Sequence, residues 1–158
     1  MNVVFSGKRQ LPVLFPFAVV MAAVVGCGFG PRQPTIAESS AALEAVVGRL
    51  PEGLAVLHHE HQGAPGSGTW VVRGPGNWRP REAAKKRDTT LPADTFMNLV
   101  AASTRGALDL GRPTASTCHY TEWQTPAANG NGRLDIRIHQ LATDQGEFMF
   151  IVAVSDPN

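Results

Sequence analysis

Three stretches near the C-terminus have the length and composition of β-strands and are separated by turn formers, and they limit what this chain can fold into. They cover residues 115–125, 133–141 and 147–155. The Asn-Gly-Asn-Gly sequence at 129–132 and the Asp-Gln-Gly sequence at 144–146 separate them. Turn formers of this kind join neighbouring antiparallel strands. The pattern therefore predicts a three-stranded antiparallel meander.

The last two of these strands differ in how they would bury their faces. In the middle strand one set of alternate positions is apolar: Leu134, Ile136 and Ile138. The other set is polar: Arg133, Asp135, Arg137 and His139. A strand with this pattern buries one face and leaves the other in water. The strand at 147–155 is apolar on both faces, so we expect it at the centre of the sheet, or covered on its second face by a helix or a partner.

The preceding residues predict two helices and a hairpin. Thr35 and Glu38 form a capping-box signature ahead of apolar residues at helical spacing. Residues 54–61 and 69–73 have the composition of two strands around a loop rich in Gly, Pro and Ser. Residues 92–104 begin with Pro and Asp and place apolar residues on one helical face.

The whole pattern indicates one α+β domain over residues 35–158, with an antiparallel sheet of about five strands and two helices. Residues 74–90, rich in Gly, Pro, Arg and Lys, predict a long exposed connection within it. With 158 residues and 43% hydrophobic content, the chain is large enough to bury a core. A formal net charge of +1 excludes a strongly basic nucleic-acid binder, and two cysteines exclude a disulfide scaffold.

Residues 1–26 have the layout of an export signal. Lys8 and Arg9 precede an apolar stretch at 11–25, and small residues follow just before Cys27. A segment of this type is removed from the mature protein. Crossing a bilayer needs about 20 uninterrupted apolar residues. This stretch is shorter and contains prolines, which argues against a transmembrane anchor.

The end of this signal resembles the lipobox of bacterial lipoproteins. The residues that carry the resemblance are Val24, Val25, Gly26 and Cys27. The family more commonly has Leu and a smaller residue where this chain has the two valines. The resemblance implies a diacylglycerol on the Cys27 sulfur and cleavage before that residue, with residues 27–34 as lipidated cysteine and tether. Gly28 in place of Asp implies the outer membrane, if the host has one. Ordinary secretion with cleavage nearby is the alternative.

A dense group of potential metal ligands occurs at the end of the first strand: His58, His59, Glu60 and His61. Alternation places His59 and His61 on one face of the strand, so these two are the candidate ligands. A zinc site would need a third ligand from the later strands. The candidates are His119, His139, Glu122 and Cys118. The alternative is a polar strand end that enters an exposed loop.

Two other patterns fail the requirements of the chemistry they suggest. Residues 63–68 look like the phosphate loop of P-loop kinases, but Thr69 and Trp70 stand where Lys and Ser or Thr are needed. We therefore expect a hairpin loop there. Cys118 precedes His119, but adjacent strand residues point to opposite faces, so we expect a buried, inert thiol and no catalytic dyad.

A basic group and the tryptophans suggest contact with envelope components. The basic residues are Arg79, Arg81, Lys85, Lys86 and Arg87, which could contact anionic head groups or cell-wall polymers. The alternative is a solvated loop. Trp70, Trp78 and Trp123 could form a sugar-stacking surface, although Trp70 and Trp123 fall in predicted strands. Trp78 lies among Gly and Pro residues and is the stronger candidate.

Together these features indicate an exported cell-envelope lipoprotein with a binding or scaffolding role and no catalysis. The expected partners are the membrane, through the lipid on Cys27, and an envelope protein or polymer. We expect no nucleic acid and no cofactor apart from the covalent lipid. The alternative function is metal binding or metal-dependent catalysis by the cluster at 58–61.

Overall fold

Two helices and six strands make up the part of the chain that the computed structural model describes: residues 34–64, 66–76, 78–127, 130 and 132–156. The helices are α1 (Ile36–Val47) and α2 (Ala93–Thr104). The strands are β1 (Ala55–His61), β2 (Gly68–Arg73), β3 (Ala84–Pro92), β4 (Thr117–Pro126), β5 (Arg133–Thr143) and β6 (Gly146–Asp156). The predicted export signal, the lipobox with Cys27 and the tether up to residue 33 lie outside the described residues.

Helix α1 begins as the capping box predicts. The Thr35 hydroxyl accepts a hydrogen bond from the Glu38 backbone N–H at 3.2 Å, and the Thr35 N–H donates to the Glu38 carboxylate at 2.6 Å. The helix ends at Val47 because Gly48 takes a φ of +83°, which terminates the helical hydrogen-bond pattern. Neither α1 nor α2, the helices of the described part, is long and apolar enough to cross a bilayer.

The six strands form one antiparallel sheet in the order β1-β2-β6-β5-β4-β3. Strand β6 lies between β2 and β5, so the prediction that the doubly apolar strand is central is confirmed. The predicted three-stranded meander is confirmed in part. Strands β4, β5 and β6 are neighbours, but they are the middle of a larger sheet that continues into β2 on one side and β3 on the other.

Strand β3 corrects the prediction of a long exposed connection over residues 74–90. Ala84–Pro92 pairs with β4, for example Thr89 with Tyr120. The strand accommodates many charged residues because it lies at the edge of the sheet, where all of its residues are exposed or half-buried. Charges and bulges at an edge also prevent pairing with other chains. Local composition therefore pointed to a loop, and the sheet has six strands where about five were expected.

The two helices cover opposite faces of the sheet, which confirms an α+β domain. On the first face, α1 places Leu43 and Val47 against a core that includes Trp70 and Ile136. On the second face, α2 places Phe96 and Val100 against a core with these members from the sheet: Val71, Cys118, Leu141, Phe148 and Phe150. The alternation of β2 and β6 supplies side chains to both cores.

The polar side of β5 lies on the second face of the sheet and is only partly exposed to solvent. Arg133 and Arg137 are exposed, as the alternation predicts. His139, also expected in water, is only 8% exposed. Its ring centroid lies 4.8 Å from that of Tyr120 and 6.2 Å from that of Phe150. The sequence of β5 alone does not show these aromatic neighbours, which come from β4 and β6.

We expect the buried His139 to make the fold sensitive to mild acid. Burial lowers the pKa of His139, with a smaller contribution from Arg137, against an opposing hydrogen bond to the Phe150 backbone. The unfolded chain therefore takes up this proton first, at about pH 6.5. The free energy of unfolding should fall as the pH drops from 6.5 toward the lowered native pKa. Urea denaturation at pH 7.5 and pH 5.5 measures the loss.

In His139→Phe this contribution is absent, so the decrease between the two pH values should be smaller than in the wild-type protein. Phenylalanine keeps an aromatic ring between Tyr120 and Phe150, and the variant should therefore fold. An equal decrease in both proteins would show that His139 does not contribute to the acid sensitivity.

Candidate functional site: the tryptophan cleft

A cleft of about 250 Å³ lies on the first face of the sheet, where the residues before β3 lean over strands β3, β4 and β5. We call it the tryptophan cleft. The side chains that give it its chemistry are Trp78, Arg79, Lys85, His119, Trp123 and Gln140. Helix α1 covers this same face next to β1 and β2, so the cleft occupies the part of the face near the β3 edge.

A β-bulge aligns the polar residues of β3 with the cleft. Lys85 pairs with Trp123 of β4 and Asp88 pairs with Thr121, although Lys85 and Asp88 are three residues apart. In a regular strand, residues with an odd separation point to opposite faces. The register shift between Lys85 and Arg87 inserts one extra residue and returns Asp88 to the face of Lys85.

Asp88 connects two basic side chains on the floor of the cleft. Its Oδ2 lies 2.6 Å from the Lys85 Nζ, and its Oδ1 lies 2.9 Å from the His119 Nε2. The hydrogen bond from Lys85 is the main cause that lowers the pKa of Asp88, and the charges of Lys85 and His119 add to it. The carboxylate is therefore ionised at neutral pH, and each of its oxygens already has a partner.

Aromatic side chains provide the rest of the surface. Trp123 is 9% exposed, and the Lys85 Nζ lies 5.4 Å from the centroid of its ring. This distance allows a cation–π interaction. Trp78 is half-buried and packs against the core of the first face, with part of its indole left in the cleft.

Arg79 is the free cation of the cleft. Its side chain is exposed, and it makes no ion pair with any residue in the described part of the chain. Nearby, the Gly76 N–H donates to the Glu147 carboxylate of β6 at 2.5 Å. This contact ties the segment that carries Trp78 and Arg79 to the sheet. A larger groove of about 560 Å³ adjoins the cleft and shares Gly76 and Gln140 with it.

The five basic residues predicted to contact anions do not form one patch. Arg79 and Lys85 lie in the cleft. On the second face, the Lys86 Nζ lies 3.2 Å from the Asp135 Oδ1 and Arg87 lies over the Tyr120 ring at 5.8 Å. Arg81 pairs with Glu82 at 3.4 Å. Ordinary alternation sends Lys85 to one face of the sheet and Lys86 to the other. The bulge then keeps Arg87 on the face of Lys86, away from Lys85.

The histidine cluster lies at the opposite edge of the sheet. The register of β1 places His59 and His61 on one face, with His58 and Glu60 on the other, as predicted. The His59 ring stacks on Trp70 with centroids 4.7 Å apart, and burial is the main cause that lowers the pKa of His59. Neither ring nitrogen of His59 has a hydrogen-bond partner among the residues that the structure describes.

The expected third metal ligand cannot come from the later strands. In the sheet, β1 is separated from β5 by two strands and from β4 by three. At about 4.8 Å per strand, β5 is some 14 Å away and β4 some 19 Å away, which imidazole side chains do not span. The candidates excluded in this way are His119, Cys118, Glu122 and His139. Within the described ranges no three His, Cys, Asp or Glu side chains group closely enough to hold a metal ion.

The remaining sequence candidates are placed as follows. Cys118 is buried, as predicted, and burial raises the pKa of its thiol. Trp70 is fully buried in the core of the first face, so it takes no part in a sugar-stacking surface.

Sequence reasoning missed the contacts of Asp88 with Lys85 and His119. The β-branched and apolar Thr89, Thr90 and Leu91 were the available signal for strand β3.

No protein family, no curated protein and no solved structure matches this chain.

Proposed function

We propose that this protein is an exported, lipid-anchored module of the cell envelope that binds an envelope polymer in the tryptophan cleft without catalysing a reaction. The observation that carries the proposal is the position of a half-buried Trp78 in a cleft beside the cation Arg79, which has no ion pair with any described residue. Aromatic surfaces with adjacent charged groups are typical of sites that recognise rings and polar polymers.

The groups in the cleft are better suited to binding than to bond cleavage. The Asp88 carboxylate has both oxygens engaged with Lys85 and His119, which limits its use as a general base. The hydroxyl-bearing Thr121 is 6% exposed, so a ligand has little access to it as a nucleophile. The remaining polar side chains can hold a ligand through charge and hydrogen bonds.

The sequence of the N-terminal leader supports the proposed localisation of the module. Val24, Val25, Gly26 and Cys27 resemble a lipobox, and the Gly- and Pro-containing residues 28–34 are suited to a tether. A lipid on Cys27 would hold the domain at a membrane surface within reach of envelope polymers. Gly28 favours the outer membrane in a host that has one. An envelope protein is the alternative partner.

Substitution of Trp78 tests the binding site. We expect Trp78→Ala to reduce at least tenfold the amount of full-length protein, in detergent micelles, that sediments with insoluble peptidoglycan. The reason is the loss of the only indole surface that is both half-buried and part of the cleft in the described residues. Sedimentation followed by quantification of bound protein gives the measurement.

Tyr120→Ala is the matched control, because Tyr120 is a half-buried aromatic residue on the opposite face. Urea denaturation of both variants checks that they fold. The proposal is overturned if the wild-type protein does not sediment, or if both variants sediment as the wild type does.

A further inference from the structure

We propose that the ligand unit held in the tryptophan cleft is a single sugar ring that carries a negative charge. This inference rests on the proposed function and names the chemistry of the unit that the site recognises. It follows from the size of the cleft, from its charge balance and from the hydrogen-bonding groups that the fold leaves available.

The size and the aromatic surface favour one ring. Sites for drug-sized ligands occupy about 300–1,000 Å³, whereas this cleft has about 250 Å³. A ring of monosaccharide size fits this volume, and longer chains would continue into the adjoining groove past Gly76. The exposed part of Trp78 offers a flat apolar surface for the C–H face of a sugar.

The charge balance favours an anion. Arg79 and Lys85 carry two fixed positive charges in the cleft, and Asp88 carries one negative charge. Asp88 is satisfied by Lys85 and His119, while Arg79 has no acidic partner in the described part of the chain. A guanidinium binds a planar carboxylate or a phosphate through paired hydrogen bonds. An acidic substituent on the ring would supply the partner that Arg79 lacks.

Other polar groups in the cleft are available for hydroxyls. Among the described residues, the Gln140 amide N–H₂ donates only to the Met149 Sδ, at 3.6 Å, and thioether sulfur is a weak acceptor. The Gln140 side-chain oxygen makes no hydrogen bond within the described ranges. Gln140 can therefore exchange its contact for hydrogen bonds to a sugar hydroxyl at little cost.

The same chemistry could come from a carboxylate or from a phosphate, and calorimetry on the full-length protein in detergent micelles separates the two. The probes are glucuronate, glucose 6-phosphate, glucose, acetate and inorganic phosphate. We expect at least one charged sugar to bind ten times more tightly than glucose, and acetate and inorganic phosphate to bind more weakly than the charged sugars. Whichever charged sugar binds more tightly identifies the acidic group.

Two arginine variants give the matched comparison. Arg79→Gln should remove the preference for the charged sugar, so that its affinity falls about tenfold to that of glucose. Arg87→Gln removes an exposed arginine on the opposite face and should keep the wild-type preference. The inference is overturned if glucose and the charged sugars bind with equal affinity. It is also overturned if acetate or inorganic phosphate alone binds as tightly as the charged sugars, or if no sugar binds.

These outcomes are distinct from a failure of the proposed function. If the wild-type protein sediments with peptidoglycan and Trp78→Ala does not, while no charged sugar is preferred, the binding module stands and the sugar class is wrong. If charged sugars bind but the wild-type protein does not sediment, the sugar site stands and the proposed polymer-binding function is overturned.

Discussion

Replacement of Trp70 by alanine should lower the free energy of unfolding by about 3–5 kcal/mol, the range for deletion of a large buried aromatic side chain. Trp70 is 1% exposed and lies in the core between α1 and the sheet. Its Nε1–H donates to the Ser39 carbonyl of α1 at 3.2 Å, and its ring stacks on His59 of the edge strand β1. Alanine removes all three contacts and leaves a cavity.

Urea denaturation followed by circular dichroism measures this loss. Trp78→Ala is the control, since it removes the same side chain from a half-buried position and should cost about 1 kcal/mol. Trp70→Phe should fall between them, because it keeps part of the ring volume but not the hydrogen bond to Ser39. Equal losses for the alanine variants at positions 70 and 78 would contradict the assignment of Trp70 to the core.

The elements that the sequence predicts well are those with local signals. The capping box of Thr35 and Glu38 marks the start of α1 because both partners lie within one helical turn. The alternation in β5 identifies Leu134, Ile136 and Ile138 as buried, and all three are buried. In each case the pattern that determines the element lies within the element itself.

Strand β3 and the cleft depend on contacts that local patterns do not contain. Nothing within Ala84–Pro92 indicates that it would pair with β4. The pairing, together with the bulge beside Lys85, brings Asp88 next to His119, which is 31 positions later in the chain. The same limitation applies to the histidine cluster, whose proposed third ligand depended on a strand order that only the sheet reveals.

Replacement of Cys27 by serine should abolish lipid attachment completely. The thioether of the lipobox reaction needs the Cys27 sulfur, and the resemblance implies that cleavage follows acylation. In the wild-type protein we expect an intact mass of residues 27–158 plus its acyl groups, with partition into the detergent phase. Each buried methylene contributes about 0.8 kcal/mol, so two or three acyl chains on Cys27 would hold the protein at a membrane. Cys27→Ser should keep residues 1–26 and carry no lipid mass.

Mass spectrometry of the membrane-extracted protein reports cleavage and acylation in one measurement, whereas partition alone would not, because an uncleaved apolar leader could also enter detergent. Cys118→Ser is the matched control, since Cys118 is the buried cysteine of the domain and its loss should leave the lipid mass in place. Ordinary secretion makes a different prediction: the wild-type protein and Cys27→Ser would both be shortened near residue 27, and neither would carry a lipid. In that case the domain would be exported without a lipid anchor, and only the affinity of its cleft would hold it on the polymer.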